Sequence, residues 1–198
     1  RSLGCRVLFY VTGTTQNALA LPDDMEVYFR EGCDEEMQND FRQTMAAFAD
    51  KIMFFNQVSG EISADFQTRD ITLMAASEEI ADFWNFHSGG TPLQLPGTNE
   101  LLLSAGMADL LNVKTADEVI LRNPDMEELK LTISGVYDNH VHNFAIISPE
   151  TVEAQWGRTP ELQMAFVIVR EGVDPGAAGA AASGADHVMN VTVSQQQA

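Results

Sequence analysis

Asp138, His140 and His142 alternate within SGVYDNHVHNFAIIS, residues 134–148. On one extended strand the two-residue period would put all three side chains on one face, where a carboxylate and two imidazoles can hold a divalent metal. A zinc site would still need a further protein ligand. Asp138-Asn139 is also turn chemistry, which breaks the strand and spoils the shared face. The residues therefore read as a turn, and no metal ligand is assigned to them.

Other chemistry is no better served. Ser104 sits in LLSAG, without the first glycine of G-x-S-x-G, and Ser183 in AASGA lacks both glycines. Ser104 suits a helix N-cap instead. No H-E-x-x-H, P-loop or G-x-G-x-x-G occurs, and DPGAAGAAASG lacks the lysine of a phosphate cradle. The carboxylates of DEEMQND (34–40) follow no EF-hand spacing and fall on the polar side of an amphipathic helix. His87 and His187 are isolated in sequence. No catalytic, cofactor-binding or metal-binding residue is assigned, no cofactor is implied, and the chain is not expected to be an enzyme.

The surrounding composition is that of a globular protein. The chain has 198 residues, 45% of them hydrophobic, enough for one good core or two small subdomains. Eleven basic against 29 acidic residues give a formal charge of −18. That charge repels phosphate backbones and anionic head groups, which argues against a nucleic-acid partner and a peripheral membrane anchor. It suits an exported domain, since basic loops tend to stay in the cytoplasm. No apolar run approaches the roughly 20 residues of a membrane span. Arg1 in place of Met hints at an excised fragment. Cys5 and Cys33 are too few for a disulfide framework and suit two small core residues. An extracytoplasmic location would also permit a single disulfide between them.

The positioning elements follow from periodicity. CRVLFYV (5–11) reads as a first strand. DMEVYFR alternates Met25, Val27 and Phe29 and reads as a half-buried strand. Asp34 is a helix N-cap, followed by acidic Glu35 and Glu36 and by Met37, Phe41, Met45 and Phe48 at helical spacing. IMFFNQV (52–58) then completes a β-α-β unit. EISADFQ and DITLMAA continue as a hairpin with Ile62, Ala64 and Phe66 alternating, and Ser77 can cap a short helix carrying Ile80, Phe83 and Trp84. SGGTPLQLPGT (88–98) gathers two prolines and three glycines and marks a subdomain boundary.

Beyond it come a strand at 100–103, a short helix around Met107 to Leu111, and strands at EVILR, LKLTISGV and VHNFAIIS, with NPDMEE as a turn. Ser148-Pro149 opens a helix that Gly157 closes. QMAFVIVR, an alanine-rich helix from Asp174-Pro175 to Gly184, and DHVMNVTV make a second β-α-β pattern. The expected fold is α+β: two β-α-β units join in a mixed-sheet base (1–88 and 158–198), and a β-rich subdomain (89–157) is inserted into it.

Three stretches carry a resemblance: TPLQLPGTNELLLSAGMADLLNVKTADEVIL, LKLTISGVYDNHVHNFAIIS and PETVEAQWG. Together they resemble the extracytoplasmic (MacB-like periplasmic core) domain of FtsX/MacB-like ABC transporter permeases. That family reads as a proline-containing lead-in, a strand-helix-strand segment, a strand pair and a tyrosine-rich helix. The chain departs from the pattern at Ala116-Asp117, where the family usually has Gly-Asp.

The resemblance implies a porter-like base. It also implies a non-catalytic domain on the extracytoplasmic face of the bacterial cell membrane, coupling transmembrane helix motion to a substrate or partner outside. Its partners would be a cytoplasmic ABC ATPase, a second permease copy or half, and a lipid, peptide or protein outside the membrane. The resemblance also implies that Asp138 to His142 falls on the turn between two strands, which gives His140 and His142 a surface or turn position by default. Two alternatives stay open: a secreted or surface-attached binding module without a transporter, and a hydrolase or metal-dependent enzyme using the histidines.

Overall fold

A computed structural model describes residues 24–139 and 144–193. In chain order its elements are β1 Asp24–Phe29, α1 Glu35–Met45, β2 Ala49–Ala64, β3 Gln67–Ala75, a 3-10 turn Glu78–Asp82, β4 His87–Ser88 and β5 Thr91–Pro92. They continue as β6 Glu100–Ser104, α2 Ala105–Leu111, β7 Glu118–Arg122, β8 Glu128–Tyr137, β9 Phe144–Ile147, α3 Pro149–Trp156, β10 Met164–Val169, α4 Pro175–Gly184 and β11 Val188–Val193. The strand expected at 5–11 lies outside the described residues. Helices and a mixed sheet make the chain α+β, as its periodicity indicates.

Contacts divide the chain into two units, Arg1–Phe55 with Glu161–Ala198, and Asn56–Pro160. The division falls inside β2.

In the first unit the strand order is β11-β1-β10-β2, with every pairing antiparallel. The strands joined by α1 therefore run parallel on either side of β10, and those joined by α4 on either side of β1. Each β-α-β segment is split by a strand of the other. The two helices begin where their caps dictate. The Asp34 carboxylate accepts from the Met37 N–H at 2.9 Å, and that of Asp174 from the Ala177 N–H at 3.1 Å. Both helices pack on one sheet face, joining Phe41, Met45, Ala178 and Ala182 to Met25, Val27, Phe29, Ala165 and Val167 in one core. The rings of Phe29, Phe41 and Phe54 meet there at centroid distances of 5.5 to 6.0 Å. Cys33 is a buried thiol of this core, whereas Cys5 lies outside the described residues.

The second unit is a closed sheet. Its order is β2-β3-β9-β6-β8-β7, and β7 returns to β2 through Glu61–Arg122, Ile62–Leu121 and Ser63–Ile120. The pairs β3–β9 and β6–β8 are parallel and the rest antiparallel. Inward residues such as Ile62, Leu73, Leu101, Leu103, Leu121, Leu131 and Ile147 fill the interior with Met107 and Leu111 of α2 and Val152 of α3. Closure removes the open edges that a six-stranded ribbon would otherwise expose.

The breaker-rich stretch 88–98 lies inside this unit, forming β4, β5 and the lead into β6. The hairpin β2–β3 belongs to the same unit because β3 pairs with β9 and β2 with β7. The alternation expected through Phe66 stops at Ala64. Asp65, at φ 51°, starts the turn, and Phe66 is wholly exposed at its tip.

Candidate functional site

Asp138 is occupied structurally. Its carboxylate accepts from the Gly89 N–H at 2.7 Å, and its own N–H donates to the His87 carbonyl at 2.9 Å. Gly89 and Gly90 turn the chain at φ 56° and 81°, so Asp138 fastens the small β4–β5 hairpin against the end of β8. The next residue, Asn139, accepts from the Gly106 N–H through its carbonyl, supplying the first turn of α2 with a partner. His140 and His142 lie outside the described residues. Among the described residues no three His, Cys, Asp or Glu side chains are placed to hold a metal.

The isolated residues stay apart in role. His87 lies in the second unit, with its Nδ1 3.0 Å from the Asn85 carbonyl, and His187 in the first. Ser183 is exposed on α4. Ser104 occupies the N-cap position of α2, as its sequence context indicates, but its side chain makes no cap hydrogen bond. Its hydroxyl is fully buried without a hydrogen-bond partner.

Helix α3 is held against the barrel by an amide that imitates a strand. Gln155 accepts from the Lys130 N–H at 3.0 Å and donates to the Lys130 carbonyl at 2.8 Å, so its side chain pairs with β8 as backbone would. The same amide donates to Asn99 Oδ1 at 2.8 Å, and the buried Thr151 hydroxyl accepts from the Asn99 N–H at 2.9 Å. Trp156 Nε1 donates to the Glu128 carbonyl at 2.9 Å, and the Arg158 guanidinium lies 4.9 Å from the Trp156 ring centroid. Arg158 also grips Glu127 bidentately, at 2.8 and 2.5 Å. This hydrogen bonding, with that of Asn123, lowers the Glu127 carboxyl to about 2.

Two further carboxylate and phenol environments are set by burial. Glu26 alternates with the core residues Met25 and Val27 and sits on the opposite sheet face, where loss of water raises its carboxyl to about 7. Tyr137 is pushed well above the usual phenol range by burial, while its hydroxyl donates to the Phe144 carbonyl at 3.0 Å.

An open cleft of about 620 Å³ lies on the second unit. Ala76, Ile80 and Ile146 are its buried floor, with Leu95 and Pro96 half-buried on one wall. Glu78, Glu79 and Glu150 stand exposed around it, and among the described residues no lysine, arginine or histidine lines it. Sequence reading missed this cleft. Its only signal was the acidic first turn of each flanking element, which the helix dipole alone accounts for. The arrangement supplies an open apolar surface rimmed by hydroxyls and exposed negative charge.

A scan against protein families finds no match, and no curated protein matches the sequence. Solved structures do match. The extracellular domain of the noncanonic ABC-type transporter YknZ from Gram-positive bacteria superposes with a TM-score of 0.56 at 14% identity, covering 98% of this chain and 99% of that one. The chain has the fold of a MacB-like extracytoplasmic domain. The periplasmic region of MacB from Actinobacillus actinomycetemcomitans shares it with a TM-score of 0.54 at 10% identity, over 89% of this chain and 90% of that one. The MacB-like fold agrees with the resemblance carried by residues 91–157. No helix among the described residues is long and apolar enough to cross a membrane.

Proposed function

We propose that this chain is the extracytoplasmic domain of a bacterial ABC transporter permease of the efflux or mechanotransmission type. The observation that carries the reading is the end-to-end likeness to the YknZ extracellular domain, which covers nearly all of both chains. In this reading the domain does no chemistry. The split β-α-β sheet of the first unit serves as the porter-like base, and the domain moves as transmembrane helices flex, engaging a substrate or partner outside the membrane. ATP is hydrolysed by a cytoplasmic ABC ATPase, and a second permease copy or half completes the transporter.

The test is to purify the full-length gene product from detergent-solubilised membranes. An ABC ATPase subunit or domain that copurifies, and whose ATP turnover depends on the permease, is the expected result. A product that stays in the soluble fraction with no ATPase attached would sink the proposal.

A further inference from the structure

The cleft between the 3-10 turn and the start of α3 has an asymmetry that the fold does not require. Acidic first-turn residues are explained singly by the positive ends of their elements. That account leaves open why Glu78 and Glu79 from one element and Glu150 from another converge on one cleft with a floor of Ile80 and Ile146 and Leu95 on its wall. None of the three carboxylates has a hydrogen-bond or ion-pair partner among the described residues, so each remains available to a visitor. Like charges gathered around an apolar surface repel one another and disfavour an anionic occupant.

From this complementarity we infer that the cleft docks a cationic amphipathic peptide segment, whose apolar side chains enter against Ile80, Leu95 and Ile146 while its lysines or arginines meet the three carboxylates. A volume of about 620 Å³ is enough to receive a few apolar side chains, being in the range of small-molecule sites. The inference rests on the cleft alone and holds or fails independently of the transporter reading.

The probe is a fluorescein-labelled heptapeptide, KLLKLLK, titrated with the whole 198-residue chain by fluorescence anisotropy, with ELLELLE as its charge-reversed counterpart. Saturable binding of the cationic peptide that weakens with salt, and none of the acidic one, is expected. Glu78→Gln, Glu79→Gln and Glu150→Gln combined should weaken it by about tenfold, since each exposed pair contributes modestly. Leu95→Ser, at a half-buried loop position, should weaken it several-fold while leaving the urea midpoint close to that of wild type.

The matched control is Glu35→Gln, Glu36→Gln and Asp40→Asn on α1, which removes the same charge from exposed positions of the other unit and should change affinity less than about twofold. Equal weakening by the two triple variants would mean attraction to net charge alone and would overturn the inference. So would equal binding of both peptides, absence of saturable binding, or self-association of the chain that the cleft triple variant abolishes, which would make a second copy the occupant.

Discussion

Gly60 in β2 passes so close to Arg122 in β7 that a Cβ on it would lie 2.2 Å from the Arg122 carbonyl oxygen. This contact borders the three residue pairs that close the second unit's sheet. The obstructing atom is backbone, so no rotamer change relieves it. Gly60→Ala must push β7 away from β2 and is expected to cost about 2–4 kcal/mol, read as a lowered urea midpoint. Gly184→Ala, where a Cβ meets nothing within 4 Å, is the control and should leave the midpoint unchanged or slightly raised.

Glu26 makes stability depend on pH. Its carboxyl is raised from 4.5 to about 7, so the folded chain holds the proton more tightly than the unfolded one. The stabilisation is fully present below the unfolded value and is lost as pH rises from about 4.5 through 7. The upper bound is about 3 kcal/mol, at 1.36 kcal/mol per unit. Urea melts from pH 4 to 8 on wild type and Glu26→Gln check it: the variant should lose this slope and be the more stable protein at pH 8.

Ala116 stands at φ 79°, a backbone conformation suited to glycine, in the turn closed by the Asp117 N–H donating to the Lys114 carbonyl at 3.0 Å. The family pattern has glycine at this position. Alanine tolerates the left-handed region at a cost of about 1–2 kcal/mol, and glycine gives back about half of that in chain entropy. Ala116→Gly is therefore expected to stabilise by about 0.5–1 kcal/mol. A lowered urea midpoint would show the turn to be differently shaped.

Two buried hydroxyls should respond oppositely. Thr151 accepts from the Asn99 N–H, so Thr151→Val strands that donor and should cost about 1–3 kcal/mol. Ser104 has no partner for its buried hydroxyl, so Ser104→Ala should be neutral or stabilising. Denaturant melts of the two variants side by side separate the cases.

Local order was readable where one residue type has one reason. The capping carboxylates of Asp34 and Asp174, the helix start at Ser148-Pro149, the alternation of Met25, Val27 and Phe29, and the stop at Gly157 all stand where the sequence places them, although the Ser148 side chain makes no cap hydrogen bond. Pairing was not readable in the same way. β2 shows a single apolar run, yet it is 16 residues long and takes β10, β3 and β7 as successive partners. Periodicity records which side of a strand is buried and carries no record of which strand lies beside it. Phe66 shows the same limit, since its alternation with Ile62 and Ala64 continues in sequence after the strand has ended. The cleft escaped because its three carboxylates come from segments about 70 residues apart and each has a sufficient local explanation.

The proposed role makes this chain the extracytoplasmic part of a membrane permease. The most direct measurement is to determine the parent reading frame on both sides of residues 1–198 and compute its hydropathy. A membrane-tethered domain would show a span of about 20 apolar residues shortly before Arg1 and another soon after Ala198, which is the expected result. A cleavable signal before Arg1 together with a stop codon just after Ala198 would contradict it and leave a secreted binding module.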